Sequence, residues 1–292
     1  MEQEPIRGRR PLDAPTPEIA RRYLDEAQAV DARRESLIDR RDKTWHELTG
    51  DLTLAILVTS YLMAAREVGA AAVQPMIFFF LVAAQISTGA GERGGVRWQD
   101  PRGRRRRIVV LSLFAVAMLG SLALLLLSPR AVPVAAYAIP GAVIVLGLAL
   151  PAAVALSRGP ATARPHRSAP LPTSTRVATL CLGLLLAFTA VAIGIPDRGL
   201  SAFFSVVILL IFIAWLFAWR SGGGPASMGL LWGPVQHAIF LGSAVLIGGL
   251  AVLVAHTDLI TPLATVVCAA VVLLAYVGAA LRPGSAPERP AS

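Results

Sequence analysis

The stretch from Arg104 to Leu127 reads RRRRIVVLSLFAVAMLGSLALLLL, four arginines followed by twenty residues, Ile108 to Leu127, without a charge. About twenty predominantly apolar residues are what an α-helix needs to cross a bilayer core about 30 Å thick. In hydrocarbon the backbone must satisfy its own N–H and C=O groups, and a helix does so within itself. The arginines mark the end that stays in the cytoplasm.

Working outward, apolar runs recur at 52–65, 71–88, 108–128, 132–156, 177–195, 199–219, 229–255 and 259–281. They predict an all-α fold, a polytopic transmembrane helix bundle of eight spans. The run 52–65 has only 14 residues, a length at which interfacial or buried helices also occur, so seven spans is the alternative. Of the 27 Lys and Arg residues, 24 fall in connections and tails that share one side, and only Arg66, Arg130 and Arg198 fall on the other. Positive charge is retained inside, so both termini are expected in the cytoplasm. Trp215, Trp219 and Trp232 fall at the inner ends of spans six and seven, where amphipathic indoles settle. The first 51 residues lack the apolar core of a secretory leader, which leaves span one as an uncleaved anchor. The net charge of +9 is read as topogenic, and the use of one lysine, Lys43, against 26 arginines suggests a high-GC bacterial coding bias. The expected location is a bacterial plasma (inner) membrane.

The expected organisation is a disordered tail over 1–16, a cytoplasmic helix over 17–50, a first transmembrane half over 51–156, a Pro/Arg-rich linker over 157–176, a second half over 177–281 and a cytoplasmic tail over 282–292. Pro5, Pro11 and Pro15 among charges make the first segment unable to bury enough apolar area to order itself. Thr16, Pro17 and Glu18 are an N-cap, a first-turn proline and a first-turn acid, and they start a helix reaching to about Leu48. Ile19, Tyr23, Val30, Leu37 and Trp45 fall in one sector of it at 100° per residue. Arg34 and Arg41 interrupt that sector and spoil a coiled-coil seam. The sector is a candidate docking face for a cytoplasmic or membrane protein partner, set against a solvated helix lying near the headgroups.

Arg102, Arg104, Arg105, Arg106 and Arg107 precede span three within reach of the inner leaflet. They are candidate contacts for anionic lipid, at roughly 1 kcal/mol per arginine near the surface. Nucleic acid is not expected, since Trp98 alone could stack on a base nearby. Inside the spans the sequence reading finds one ionisable residue, His237, preceded by Gln236, and ionisable groups in a bilayer point to function by default. With no carboxylate partner in the apolar runs, the expected role of His237 is a hydrogen-bonded packing contact between helices. Prolines at 140 and 151 and the pair Gly248-Gly249 are expected to kink their spans or let backbones approach.

Cys181 and Cys268 fall at different depths, which argues against a disulfide or a metal pair. Glu67, Asp197, His256 and Asp258 lie in short outer turns, where capping and solvation are their expected work. No Walker A, Rossmann glycine pattern, nucleophile elbow or HExxH motif occurs, so no enzymatic activity, cofactor or metal is expected. The reading that remains is a non-enzymatic scaffold or accessory subunit. A permease for a small apolar or lipid-like solute is the alternative, and a membrane enzyme acting on lipid is the third.

Overall fold

The computed structural model of the 292-residue chain describes residues 16–37, 40–69, 74–93, 101–127, 132–158, 168–195, 197–218, 225–257 and 259–285. Two units separate at Ile38. The first contains helix α1 (Pro17–Leu37), whose opening amides turn back on Thr16: Ile19 N–H donates to the Thr16 hydroxyl at 3.4 Å and Ala20 N–H to its carbonyl at 2.9 Å.

The second unit, from Asp39 onward, holds the bundle. Its helices are α2 (Arg40–Val68), α3 (Pro75–Arg93), α4 (Pro101–Leu127), a composite rod over 134–158, α7 (Thr173–Ile193), α8 (Arg198–Ala218), the short α9 (Pro225–Leu231), α10 (Pro234–His256) and α11 (Pro262–Leu281). The rod runs as a 3-10 turn (Val134–Ala138), α5 (Ile139–Ile144), a π-helical segment (Val145–Ala149) and α6 (Leu150–Arg158). A two-stranded pairing, β1 (Ser168–Ala169) antiparallel to β2 (Gly284–Ser285), ties the chain before α7 to the chain after α11.

Helix limits follow local chemistry. Gly69, with φ of +86°, ends α2 in the left-handed conformation that a residue without Cβ adopts most readily. Asp197 starts α8 by accepting the Leu200 N–H at 2.7 Å, and Thr261 starts α11 by accepting from Ala264 N–H at 3.3 Å. Pro234 occupies the first turn of α10 after an extended Gly233, a position where the missing N–H costs nothing. The sequence reading carried one span through 229–255. The structure instead ends α9 at Leu231 and begins α10 at Pro234, so His237 lies in the first turn of its helix rather than eight residues inside it. Gly248 and Gly249 leave α10 unbroken.

Among the described residues six helices are long and apolar enough to cross a membrane: Thr44–Val68, Arg105–Leu127, Val134–Arg158, Thr173–Ile193, Pro234–His256 and Pro262–Leu281, with shorter apolar stretches at Pro75–Ala90 and Gly199–Trp215. The first of them has 25 residues, which removes the length objection to the 14-residue run 52–65. Polar residues 44–51 had hidden its true extent. Leu113, Val116, Leu119, Leu126 and Leu127 on α4 are all more than half exposed. In water such a surface would aggregate, whereas lipid accepts it. Only 11% of the α4 window is buried against 56% for α2, which puts α4 at the periphery and α2 in the core.

The main seams join helices distant in sequence: α2 packs along α10, and α7 along α11. Glycine lets these backbones approach. Gly248 on α10 meets Ser60 and Ile56 of α2, and Gly183 on α7 meets the ring of Tyr276 on α11, the close packing that small residues allow where lipid competes for apolar contact. Small residues four apart line these seams, Ala244 with Gly248 and Gly183 with Ala187, whereas a Cβ at Gly242 would meet nothing within 4 Å.

Candidate functional site

One group of buried polar residues, His46, Thr49, Thr175, Thr179, Gln236 and His237, gathers near the N-terminal ends of α2, α7 and α10. On α2, His46, Thr49, Thr53 and Ser60 are all buried and, spaced by three, four and seven, share one face. The threonine hydroxyls are satisfied within the helix. Thr49 donates to the carbonyls of Trp45 at 3.0 Å and His46 at 3.1 Å, and Thr53 to that of Thr49 at 2.7 Å, so their burial leaves no donor stranded.

This face brings His46 against His237, with ring centroids 4.1 Å apart and ring planes tilted by 58°. Both are buried, at 8% and 5% exposure. Trp232, fully buried, lies edge-on to His237 at 5.6 Å and to Phe240 at 6.1 Å. Its indole N–H donates to the Thr179 hydroxyl of α7 at 3.0 Å, and that hydroxyl donates in turn to the Thr175 carbonyl at 2.8 Å. Tyr276 of α11 closes the group, 6.5 Å from Trp232.

Gln236 holds the head of α10 in place. Its side-chain carbonyl accepts from Gly233 N–H at 3.0 Å, and its amide is shared among the carbonyls of Ala279, Arg282 and Pro283 at 3.2 to 3.4 Å. A glutamine with 1% exposure is thus spent on fixing two helix ends together. The expected pair, Gln236 and His237, therefore has two different jobs. Gln236 is a structural clamp, and His237 faces a second imidazole that the sequence had placed in a cytoplasmic helix. The statement that the spans carry a single histidine is corrected accordingly, because the first crossing helix begins at Thr44 and includes His46, Glu47 and Asp51.

The arginine run divides. The side chains of Arg102 and Arg104 lie outside the described residues, and Arg105 is exposed. Arg106 donates to the Gly147 carbonyl at 2.5 Å, at the π-helical segment, where the widened turn disturbs the regular ladder. Arg107 and Arg106 are within electrostatic reach of the Asp51 carboxylate, as is the like charge of Glu47. At the far end of α2, Arg66 pairs with Glu67 and also donates to the Val132 carbonyl at 3.2 Å. Asp197 is committed to capping α8, Asp258 lies outside the described residues, and no cluster of three His, Cys, Asp or Glu side chains forms among the described residues.

Among the docking residues, Ile19, Tyr23 and Val30 are exposed on α1, and the Leu37 side chain lies outside the described residues. Trp45 belongs to α2 and is half-buried there, so the single helix read from 17 to about 48 is divided between α1 and α2. Thr179 and Tyr276 were not legible as site residues, His46 was read only as part of a cytoplasmic helix, and Trp232 only as an indole at the membrane boundary. For His46 the one local signal is the polar row from His46 to Ser60, which continues into the apolar run.

Six long apolar helices with lipid-compatible outer faces make this a multi-pass integral membrane protein. The chain matches no family model, no curated protein and no solved structure.

Proposed function

We propose that this chain crosses a bacterial plasma membrane eight times, keeps both termini in the cytoplasm, and serves without catalysis of its own as a scaffold or accessory subunit that docks a cytoplasmic partner through α1. Side-to-side contacts support the span count. The bond from Arg66 to Val132 joins the end of α2 to the start of the 134–158 rod, so the chain between them makes an even number of passes. Since α4 is long enough to cross, α3 crosses too. Gly194, at the end of α7, touches Thr265 at the start of α11, and the same parity makes α8 cross alongside α10. Helix α3 has 19 residues and α8 has 21, roughly 28 and 31 Å at 1.5 Å per residue, against a core of about 30 Å. Cysteines introduced at Gly69 and Asp197 are expected to react with an impermeant thiol reagent added to intact cells, whereas those at Gly95 and Ser168 stay unmodified. Equal labelling of Gly69 and Gly95 would remove the crossing by α3.

The observation carrying the scaffold reading is α1 itself, a unit of its own in which Ile19, Tyr23, Leu24 and Val30 are 46–65% exposed. Exposed apolar side chains on such a helix are a docking surface, and burying each stabilises a complex by roughly 1.5–3 kcal/mol. Val30→Glu is expected to release the partner while leaving membrane insertion intact, because it removes that burial and adds a desolvation cost. Co-purification followed by protease mapping of residues 17–37 checks it. Unchanged partner recovery after deletion of residues 2–38 would end the docking hypothesis.

The permease reading draws on the rod 134–158. Pro140-Gly141 and the π-helical segment interrupt it, and Gly141 lies against the Thr59 hydroxyl and the Ala55 carbonyl of α2. Interrupted helices at such a seam are where transporters place their sites. Solute flux into proteoliposomes, lost on replacing Gly141 by Leu, would favour that reading over the scaffold.

A further inference from the structure

We infer that His46 and His237 form a binding site for one transition-metal ion of the imidazole-preferring kind, copper above all. The two rings come from helices that begin far apart in sequence, yet the α2–α10 seam holds their centroids 4.1 Å apart. At a 58° tilt they do not form a parallel stack, and a nitrogen from each faces a common ion once the rings turn and move apart. Both residues are nine-tenths or more buried, so water competes weakly for an ion placed between them.

The surroundings fix both ligands, as metal sites require of their supporting shell. His237 stands one residue beyond the Gln236 clamp and leans on Trp232, which Thr179 holds. His46 is in a helical turn tightened by Thr49. Aromatic and apolar groups fill the rest of the vicinity, with Phe240 and Tyr276 packed against Trp232.

Ligand number selects the metal. No third His, Cys, Asp or Glu joins the pair among the described residues. Zinc sites are almost always four-coordinate, with at least three protein ligands in the catalytic kind. Magnesium and calcium take oxygen donors. Imidazole suits copper among the transition metals, and cuprous ion, unlike the divalent ions, is satisfied by two donors in a near-linear arrangement. Metal–nitrogen bonds of about 2.0 Å, as in zinc sites, set the ring centroids wider than their 4.1 Å separation. Loading the site therefore parts the rings and loosens the head of the α2–α10 seam.

The test uses the full-length chain in detergent with a tag that contains no histidine, in a Cys181→Ser/Cys268→Ser background so that thiols do not contribute. Cuprous ion is titrated against a chromophoric chelator. One equivalent per chain is expected, retained in His256→Ala and lost in both His46→Ala and His237→Ala. The loss should exceed the roughly 10–100-fold that a change in a supporting residue costs. No binding by the parent chain, or equal binding after either substitution, overturns the proposal and leaves the pair as a packing contact. Should an alanine variant fail to yield monodisperse protein, His46→Gln and His237→Gln are used. X-ray absorption of the loaded parent chain decides independently, since a shell of two imidazole nitrogens is expected and one dominated by sulfur or by solvent oxygen would refute the site.

Discussion

Trp232→Ala is expected to destabilise the bundle by about 3–5 kcal/mol, the range for deleting a large aromatic from a packed interior. Trp232 is fully buried, sits between α9 and α10, and touches His237, Phe240 and Tyr276 from a fixed indole whose N–H is bound by Thr179. Its removal empties the point where α7, α10 and α11 meet and leaves those side chains without dispersion partners that lipid tails cannot replace in an enclosed space. Trp232→Phe keeps most of the volume and loses the hydrogen bond, worth about 0.5–1.5 kcal/mol. Denaturation midpoints in mild detergent for the two variants and the parent chain check this ordering. If alanine and phenylalanine cost the same, the packing account of Trp232 is wrong.

The second large effect is expected at Gly183. A side chain there meets Cβ and Cγ of Tyr276, with Cγ at 2.8 Å from the position a Cβ would take, and Tyr276 is fully buried and cannot swing aside. Gly183→Leu therefore forces α7 and α11 apart, at about 1–3 kcal/mol or more, the cost of overpacking. Gly242→Leu on α10 is the matched control, because a Cβ at that position meets nothing within 4 Å. Thermal midpoints and steady-state abundance should fall for the first variant and stay near the parent value for the second. Equal behaviour of the two would show that the α7–α11 seam is not set by glycine.

The helices were legible in the sequence because each apolar run is long and its flanks are charged or proline-rich, and in a bilayer these two properties leave few alternatives to a helix. Helix α2 was legible only in its second half. Residues 40–51 contain Arg40, Arg41, Asp42, Lys43, Glu47 and Asp51, a composition that reads as a solvated helix, and only tertiary contact with α10 reveals that one face of it is buried. The candidate site was half legible for the same reason. His237 stood out as an ionisable residue in an apolar run, whereas His46 was hidden among charges, and nothing in either local stretch says that the two meet. The break at Trp232 and Gly233 could have been read from Gly233-Pro234, a strong helix-start signal, had the continuity of the apolar run not outweighed it.

The seam between α2 and α10 also imposes a timetable on biogenesis. Helix α2 has the lowest mean hydropathy of the six long apolar helices, 1.5 against 2.1 to 2.7 for the others, and its polar row from His46 to Ser60 is covered chiefly from α10. Pro234 follows Val68 by 166 residues, which at about 5–20 residues per second of synthesis is a delay of roughly ten to thirty seconds. Through that interval α2, the first crossing helix made, has to wait in the membrane or beside the insertion machinery with its least lipid-soluble face uncovered. A ribosome that stalls before α10 therefore leaves behind a segment whose exposed imidazole and hydroxyl groups mark it as unfinished, and membrane quality control has a chemical basis for telling the incomplete chain from the complete one.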